Sequence, residues 1–155
     1  RISKMTKGEF DGLVMAAAGI ERLGLESYIT AYLDSDEVLC APGQGAISVE
    51  TKKGRSEIHN MVSNINHDDT NKCTFYERSF MNELGGGCNS PIGAFSNISD
   101  NKKKITGTVL SLDGKTVFRD SVETDIEDDV NIGLLLANKI LESGAQTVIK
   151  DISIG

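Results

Sequence analysis

The sequence has no tryptophan, two prolines, three cysteines and 5% aromatic residues in 155 positions. No run approaches the ~20 apolar residues that cross a bilayer. Three widely spaced cysteines, an odd number, argue against a disulfide framework. No dense basic run occurs, and 16 Lys and Arg against 23 Asp and Glu give a net charge of -7, which argues against nucleic acid as a partner. Lys102-Lys103-Lys104 is the densest basic cluster and reads as a solvated turn. Arg1 runs into the mixed-polarity Ile2-Ser3-Lys4-Met5, unlike a secretory signal, and a reducing cytoplasm is the expected home. The start at Arg1, within an apparent element and without Met, reads as that of a fragment.

What is present is ordinary globular material, 39% hydrophobic and 25% charged. Residues 1 to about 39 read as helix, strand, helix: Leu13-Val14-Met15 suits a short buried strand, passing through Ala16-Ala17-Ala18-Gly19 into Ile20-Glu21-Arg22-Leu23. Small residues at that junction leave two readings open. They either pack tightly or let an anion approach backbone N–H groups. Residues 40 to 66 hold Pro42-Gly43-Gln44-Gly45, a strand-like Ala46–Glu50, and a helix from Ser56 to Ile65 with Ile58, Met61, Val62 and Ile65 on one face. One strand and one helix make no core alone and are expected to pack against something absent from this chain.

Residues 67 to about 153 read as self-sufficient. A helix capped by Asp68 or Asp69 runs to Leu84, with Cys73, Tyr76, Phe80 and Leu84 in one stripe, and Gly85-Gly86-Gly87 stops it. Strands follow near 91–98, 104–112 and 115–123, with Asp113-Gly114 a two-residue hairpin signal. A helix over 127–143 closed by Gly144, then a strand Thr147–Ile152, complete an α+β domain: a small antiparallel sheet with helices on one face.

Cys88 stands in Leu84-Gly85-Gly86-Gly87-Cys88-Asn89-Ser90-Pro91-Ile92-Gly93, a loop whose glycines remove side-chain bulk. No His, Lys or Arg stands nearby in sequence to depress its pKa, and Glu83 acts in the opposite sense. That setting leaves two readings open: an ordinary loop cysteine, or a thiol that bonds once to a reactive electrophile and then serves as an anchor. His59 and His67 lack a second pair of metal ligands, and Cys40 and Cys73 fit strand and helix core positions, so no metal site is expected. Gly43-Gln44-Gly45 lacks the lysine of a phosphate-cradling loop.

Three segments carry a family resemblance in order and separation: Asp11 through Gly24, Ala41-Pro42-Gly43-Gln44-Gly45-Ala46, and Glu77-Arg78 through Gly85-Gly86-Gly87-Cys88 to Pro91-Ile92-Gly93. Together they make nearly the whole chain similar to the second half of porphobilinogen deaminases. The resemblance implies that Cys88 forms a thioether to a dipyrromethane cofactor. It implies that Arg22 binds acetate and propionate groups of cofactor and substrate. Arg1 corresponds to the last residue of an Arg-Gly-Asn segment with the same task. Each pyrrole carries two carboxylates, which the planar arginine fork suits, and the backbone at Ala18 and Gly19 is expected to assist.

The same resemblance implies an enzyme that joins four porphobilinogens head to tail, releasing ammonia and then hydroxymethylbilane. Its catalytic aspartate belongs to the part of the family's fold absent here, so no catalytic residue is expected in this chain. By resemblance, residues 1–39 end a second α/β domain and 40–66 cross back to the first, both like periplasmic binding proteins, with a hinge at Gly43-Gln44-Gly45. Residues 67–155 form the complete cofactor-attachment domain. The chain alone is expected to be inactive, without cofactor, in need of the missing N-terminal half, and prone to dimerise by segment exchange. Two rivals are a non-catalytic small-carboxylate-binding module and a thiol redox protein; the latter lacks a Cys-x-x-Cys pair.

Overall fold

Long apolar stretches with helical or alternating period are concentrated in the second half of the sequence, and there the chain builds its core. The computed structural model describes the backbone of residues 1–87 and 90–154, and side chains through Lys150 apart from the two intervening residues. Two compact units form, Arg1–Glu37 and Val38–Gly155.

In the first unit, α1 spans Ile2–Thr6 and α2 spans Ala17–Glu21, followed by a 3-10 turn at Glu26–Tyr28. The Tyr32 hydroxyl donates to Glu21 Oε1 at 3.0 Å, tying the downstream strand-less segment to α2. Leu13–Met15 is not a strand, contrary to its pattern, and Val14 is exposed. A parallel strand is stable only between hydrogen-bonded neighbours and under helices, and none flanks it here. Ile20 is the buried apolar residue of this unit.

The second unit begins with an extended segment, then α3 at Ser56–Ser63. Ala46–Glu50 forms no strand either, and Ile47 is 94% exposed. α3 starts where expected but ends at Ser63, two residues short of Ile65, and both Met61 on its apolar face and Ile65 beyond it lie open to solvent.

α4 covers Asp68–Glu83. Its cap is His67, one residue before the expected aspartates: His67 Nδ1 accepts from the Thr70 N–H at 3.2 Å. Asp68 and Asp69 instead occupy the first turn, where carboxylates favour the helix dipole. Strands β1 (Ile92–Ser99), β2 (Lys102–Leu110) and β3 (Val117–Asp125) pair antiparallel in the order β1-β2-β3. Register runs through Ala94–Gly107–Asp120 and Ile92–Val109–Phe118.

The lysine run is not a turn. All three lysines lie in β2, and Lys103 points inward and is buried. The β1–β2 turn is made by Asp100 and Asn101, both at positive φ (51° and 59°), the conformation of a two-residue type I′ hairpin. The β2–β3 hairpin forms around Asp113 and Gly114 as expected, but with a longer loop closed by Ser111 N–H to Thr116 C=O at 2.9 Å.

α5 spans Ile132–Ile140, capped by the Asn131 side chain, which accepts from the Gly133 and Leu134 N–H groups. It therefore starts later than the Asp128–Asp129 pair predicts. Gly144 has the left-handed φ of 106°, yet the chain passes through a wide turn at Leu141–Ala145 into α6, Gln146–Ile154. This replaces the expected final strand; Val148 packs into the core at helical spacing from Ala145. The core joins Phe80 and Leu84 of α4, Ile92, Ala94, Ile105 and Val109 of the sheet, and Ile132, Leu136 and Ile140 of α5. Each fully buried side chain of this kind stabilises by about 1.5–3 kcal/mol. The α+β architecture with helices on one sheet face is the one expected.

Candidate functional site

The glycine loop leaves α4 through a Schellman turn. Gly86 N–H donates to Met81 C=O and Gly85 N–H to Asn82 C=O, both at 3.0 Å, with Gly85 at φ 67°. Gly85 alone of the three glycines needs the left-handed conformation. Gly86 is required for space, since a β-carbon there would lie 2.5 Å from Ile92 Cδ1.

Beyond it, two hydrogen bonds pinch the chain. Gly87 N–H donates to Ser90 Oγ at 3.0 Å, and Ser90 N–H donates back to Gly87 C=O at 2.9 Å. The Leu110 N–H holds Pro91 C=O at 3.0 Å, and β1 then starts. Cys88 itself, with Asn89, lies outside the described residues. What the fold supplies is two stems, the end of α4 and the start of β1, with Gly87 and Ser90 bound to each other across the intervening pair.

Arg1, Ala18, Gly19 and Arg22 all belong to the first unit and are exposed. Ala18 and Gly19 lie within α2, and the Arg22 N–H closes that helix on Ala18 C=O at 3.1 Å. Among the described residues no ion pair involves Arg1 or Arg22. Exposed guanidinium groups of this kind are open to carboxylates. Among the described residues no hydrogen bond or ion pair joins Arg1 to Arg22.

The remaining chemistry-bearing residues fall elsewhere. Cys40 is exposed, not in a core strand as its setting predicts, because its segment runs along the edge of β1. Cys73 is partly buried, and burial pushes its thiol pKa up, with Glu77 and Asp69 adding in the same direction against a Ser96 contact. His59 and His67 both line an open groove of about 1140 Å³ beside α3 and α4, with Ile47, Val49, Phe75 and Arg78. Among the described residues no group of three His, Cys, Asp or Glu is placed to hold a metal ion. No described helix is long and apolar enough to cross a membrane.

Sequence reasoning missed Glu77, which is buried with both carboxylate oxygens hydrogen-bonded. Its position one residue from Tyr76 on the inward stripe of α4 was the available signal.

Comparison with known proteins gives two family matches in sequence order. Residues 1–60 match the model described as porphobilinogen deaminase, dipyromethane cofactor binding domain, and residues 71–142 match porphobilinogen deaminase, C-terminal domain. Curated relatives named porphobilinogen deaminase include that of Carboxydothermus hydrogenoformans, 40% identical over 98% of this chain and 49% of the relative. The Alkaliphilus metalliredigens protein is 36% identical over 99% of this chain and 48% of its own length. That of Parasynechococcus marenigrum is 38% identical, covering 98% and 48%. The chain thus spans about half the length of the curated relatives it matches.

Proposed function

We propose a function from one premise: the chain belongs to the porphobilinogen deaminase family. It is the second half of an enzyme that condenses four porphobilinogens, with loss of ammonia, to hydroxymethylbilane. The observation that carries this reading is that both family domains match in order on one chain that holds the Gly85-Gly86-Gly87-Cys88 loop.

In this reading Cys88 anchors a dipyrromethane through a thioether. Bound there, the dipyrromethane supplies the pyrrole terminus from which the product chain grows. The two hydrogen bonds between Gly87 and Ser90 suit an anchor: they hold the residues that flank the pair, and the three preceding glycines carry no side chains. The donor set of this chain fits the acetate and propionate groups, because Arg1 and Arg22 present exposed guanidinium groups. Each can bind a carboxylate through two parallel hydrogen bonds. Backbone groups at Ala18 and Gly19 assist them.

Residues 1–39 then complete a second α/β domain of periplasmic-binding-protein type, 40–66 return to a first domain, and 67–155 form the cofactor-attachment domain. Exposed Val14, Ile47, Met61 and Ile65 are contact surface for the half of the relatives that this chain does not span. Without that half the chain is inactive, carries no cofactor, and associates through those side chains. The reaction is one of the cytoplasm.

Co-expression with the first half of the Carboxydothermus relative tests the proposal. The expected result is a dipyrromethane mass adduct and a positive Ehrlich colour, both lost in Cys88→Ser. The chain expressed alone should show neither. Persistence of adduct and turnover in Cys88→Ser would overturn the anchor.

A further inference from the structure

Glu77 lies in the third turn of α4 at 6% exposure, and each of its carboxylate oxygens has its own task. Oε2 accepts from the Gly43 backbone N–H at 2.7 Å. Oε1 accepts from the Ser96 N–H of β1 at 2.8 Å. The Ser96 hydroxyl lies 3.1 Å from the same oxygen and 2.8 Å from Cys73 C=O, and its one proton serves one of the two. A single side chain therefore meets three pieces of chain: α4 that bears it, the Pro42–Gly45 turn, and β1.

α4 and β1 are the two stems of the glycine–cysteine loop, and the Pro42–Gly45 turn belongs to the segment matched by the other family domain. That segment lies against β1 at two further points. Ala94 N–H donates to Cys40 C=O at 3.0 Å, and a β-carbon on Gly93 would come within 2.9 Å of Leu39 Cβ. The amides of Ala94 and Ser96 on the edge strand are thereby closed, one by backbone and one by Glu77.

Burying a carboxylate is unfavourable unless its oxygens are hydrogen-bonded, and an apolar side chain would pack α4 on β1 without that cost. What a carboxylate alone provides here is an acceptor on both sides, facing two backbone donors. We infer that Glu77 is a positioning residue, coupling the Pro42–Gly45 turn to both stems of the loop and thereby setting the presentation of its thiol. The role assigned to that thiol rests on the function proposed above; the coupling itself does not.

Hydrogen exchange by residue on the 155-residue chain tests the coupling, paired with the alkylation rate of Cys88 in a background with Cys40→Ser and Cys73→Ser. Glu77→Gln keeps the shape but offers one acceptor, so its amide NH2 faces a donor. The expected result is faster exchange at Gly43 by about tenfold, the scale of one net hydrogen bond, with the amides of Phe80 and Ile105 unchanged. Cys88 alkylation should shift by about threefold or more against the parent, a change in presentation that a loss of one net bond can carry. Glu77→Asp is one methylene shorter and cannot span both donors, so it should release Gly43 as well; it decides the matter if Glu77→Gln fails to fold. Unchanged exchange at Gly43 in a folded variant would overturn the coupling. Release of Gly43 with Cys88 alkylation unaltered would overturn its transmission to the loop. Neither readout needs the cofactor, so a missing adduct in the co-expression experiment is a separate failure.

Discussion

Gly133 sits so close to the carbonyl oxygen of Tyr76 that a β-carbon there would lie 2.0 Å from it. This is where α5 crosses α4, one turn from Phe80, and the missing side chain sets the spacing of the two helices over the sheet. Gly133→Ala would gain about 1 kcal/mol of helix propensity. It would also force the crossing apart in a packed core, which costs about 1–3 kcal/mol or more. The net expectation is destabilisation by about 1–2 kcal/mol, read as a lower urea midpoint with unchanged slope.

Asp120 on β3 and Lys139 on α5 form the other tie between sheet and helix, with Lys139 Nζ 2.8 Å from Asp120 Oδ1. The Lys139 ammonium, and after it the Ser121 N–H, hold the Asp120 carboxyl below its ordinary pKa. A depressed carboxylate stabilises the fold above its unfolded pKa, and that contribution is lost as pH falls through the folded value. Asp120→Asn should therefore lower the urea midpoint at neutral pH and converge with the parent in acid, once pH has fallen through the lowered carboxyl range of the folded state. Both side chains are well exposed, so the difference is small and should shrink in high salt.

The second half of the chain was legible in the sequence because its elements satisfy themselves. The Phe80–Leu84 stripe, the three strands and the Asp113-Gly114 hairpin all follow from period and turn chemistry. Lys102-Lys103-Lys104 misled because charge was read without register: Asp100 and Asn101 form the tight turn without a glycine, which moves the lysines into β2 and turns Lys103 inward. Thr147–Ile152 has strand-like composition but lies in α6, where Val148 packs into the core at helical spacing from Ala145. In residues 1–66 the strand patterns at Leu13–Met15 and Ala46–Glu50 find no sheet neighbour among the described residues. Of the site, the loop and its stems were legible; Glu77 was not, because a carboxylate on an apolar stripe looks like an interruption until its two donors are placed.

Ile47 and Met61 should behave as surface residues of this chain, despite their place in apolar patterns. Both are exposed, at 94% and 72%. Ile47→Ser and Met61→Ser are expected to change unfolding free energy by less than about 0.5 kcal/mol. If these side chains meet the remaining half of the protein, the double variant should instead weaken self-association of the isolated chain in sedimentation velocity. It should also reduce recovery of the co-expressed complex. A large loss of stability in the isolated chain would place them in a core and contradict the structure.

Lys103 is the clearest case of a charge whose purpose is read from its partners. Its Nζ donates to the carbonyls of Asp128 and Val130, at 3.1 Å for the latter, and lies 5.5 Å from the centre of the Tyr76 ring. These carbonyls belong to the connection that leads into the Asn131 cap of α5, so the ammonium fastens that connection to β2. Lys103→Met keeps the buried stem and removes the donors. Two inward carbonyls then lose their partner, a cost of about 1–3 kcal/mol, and the ring loses its cation, worth about 1 kcal/mol. The expected outcome is a stability loss of about 2–3 kcal/mol, with hydrogen exchange rising first over residues 126–131 and only later in β2. If the lysine merely filled space, the methionine variant would match the parent in both measurements, since the two side chains differ little in volume.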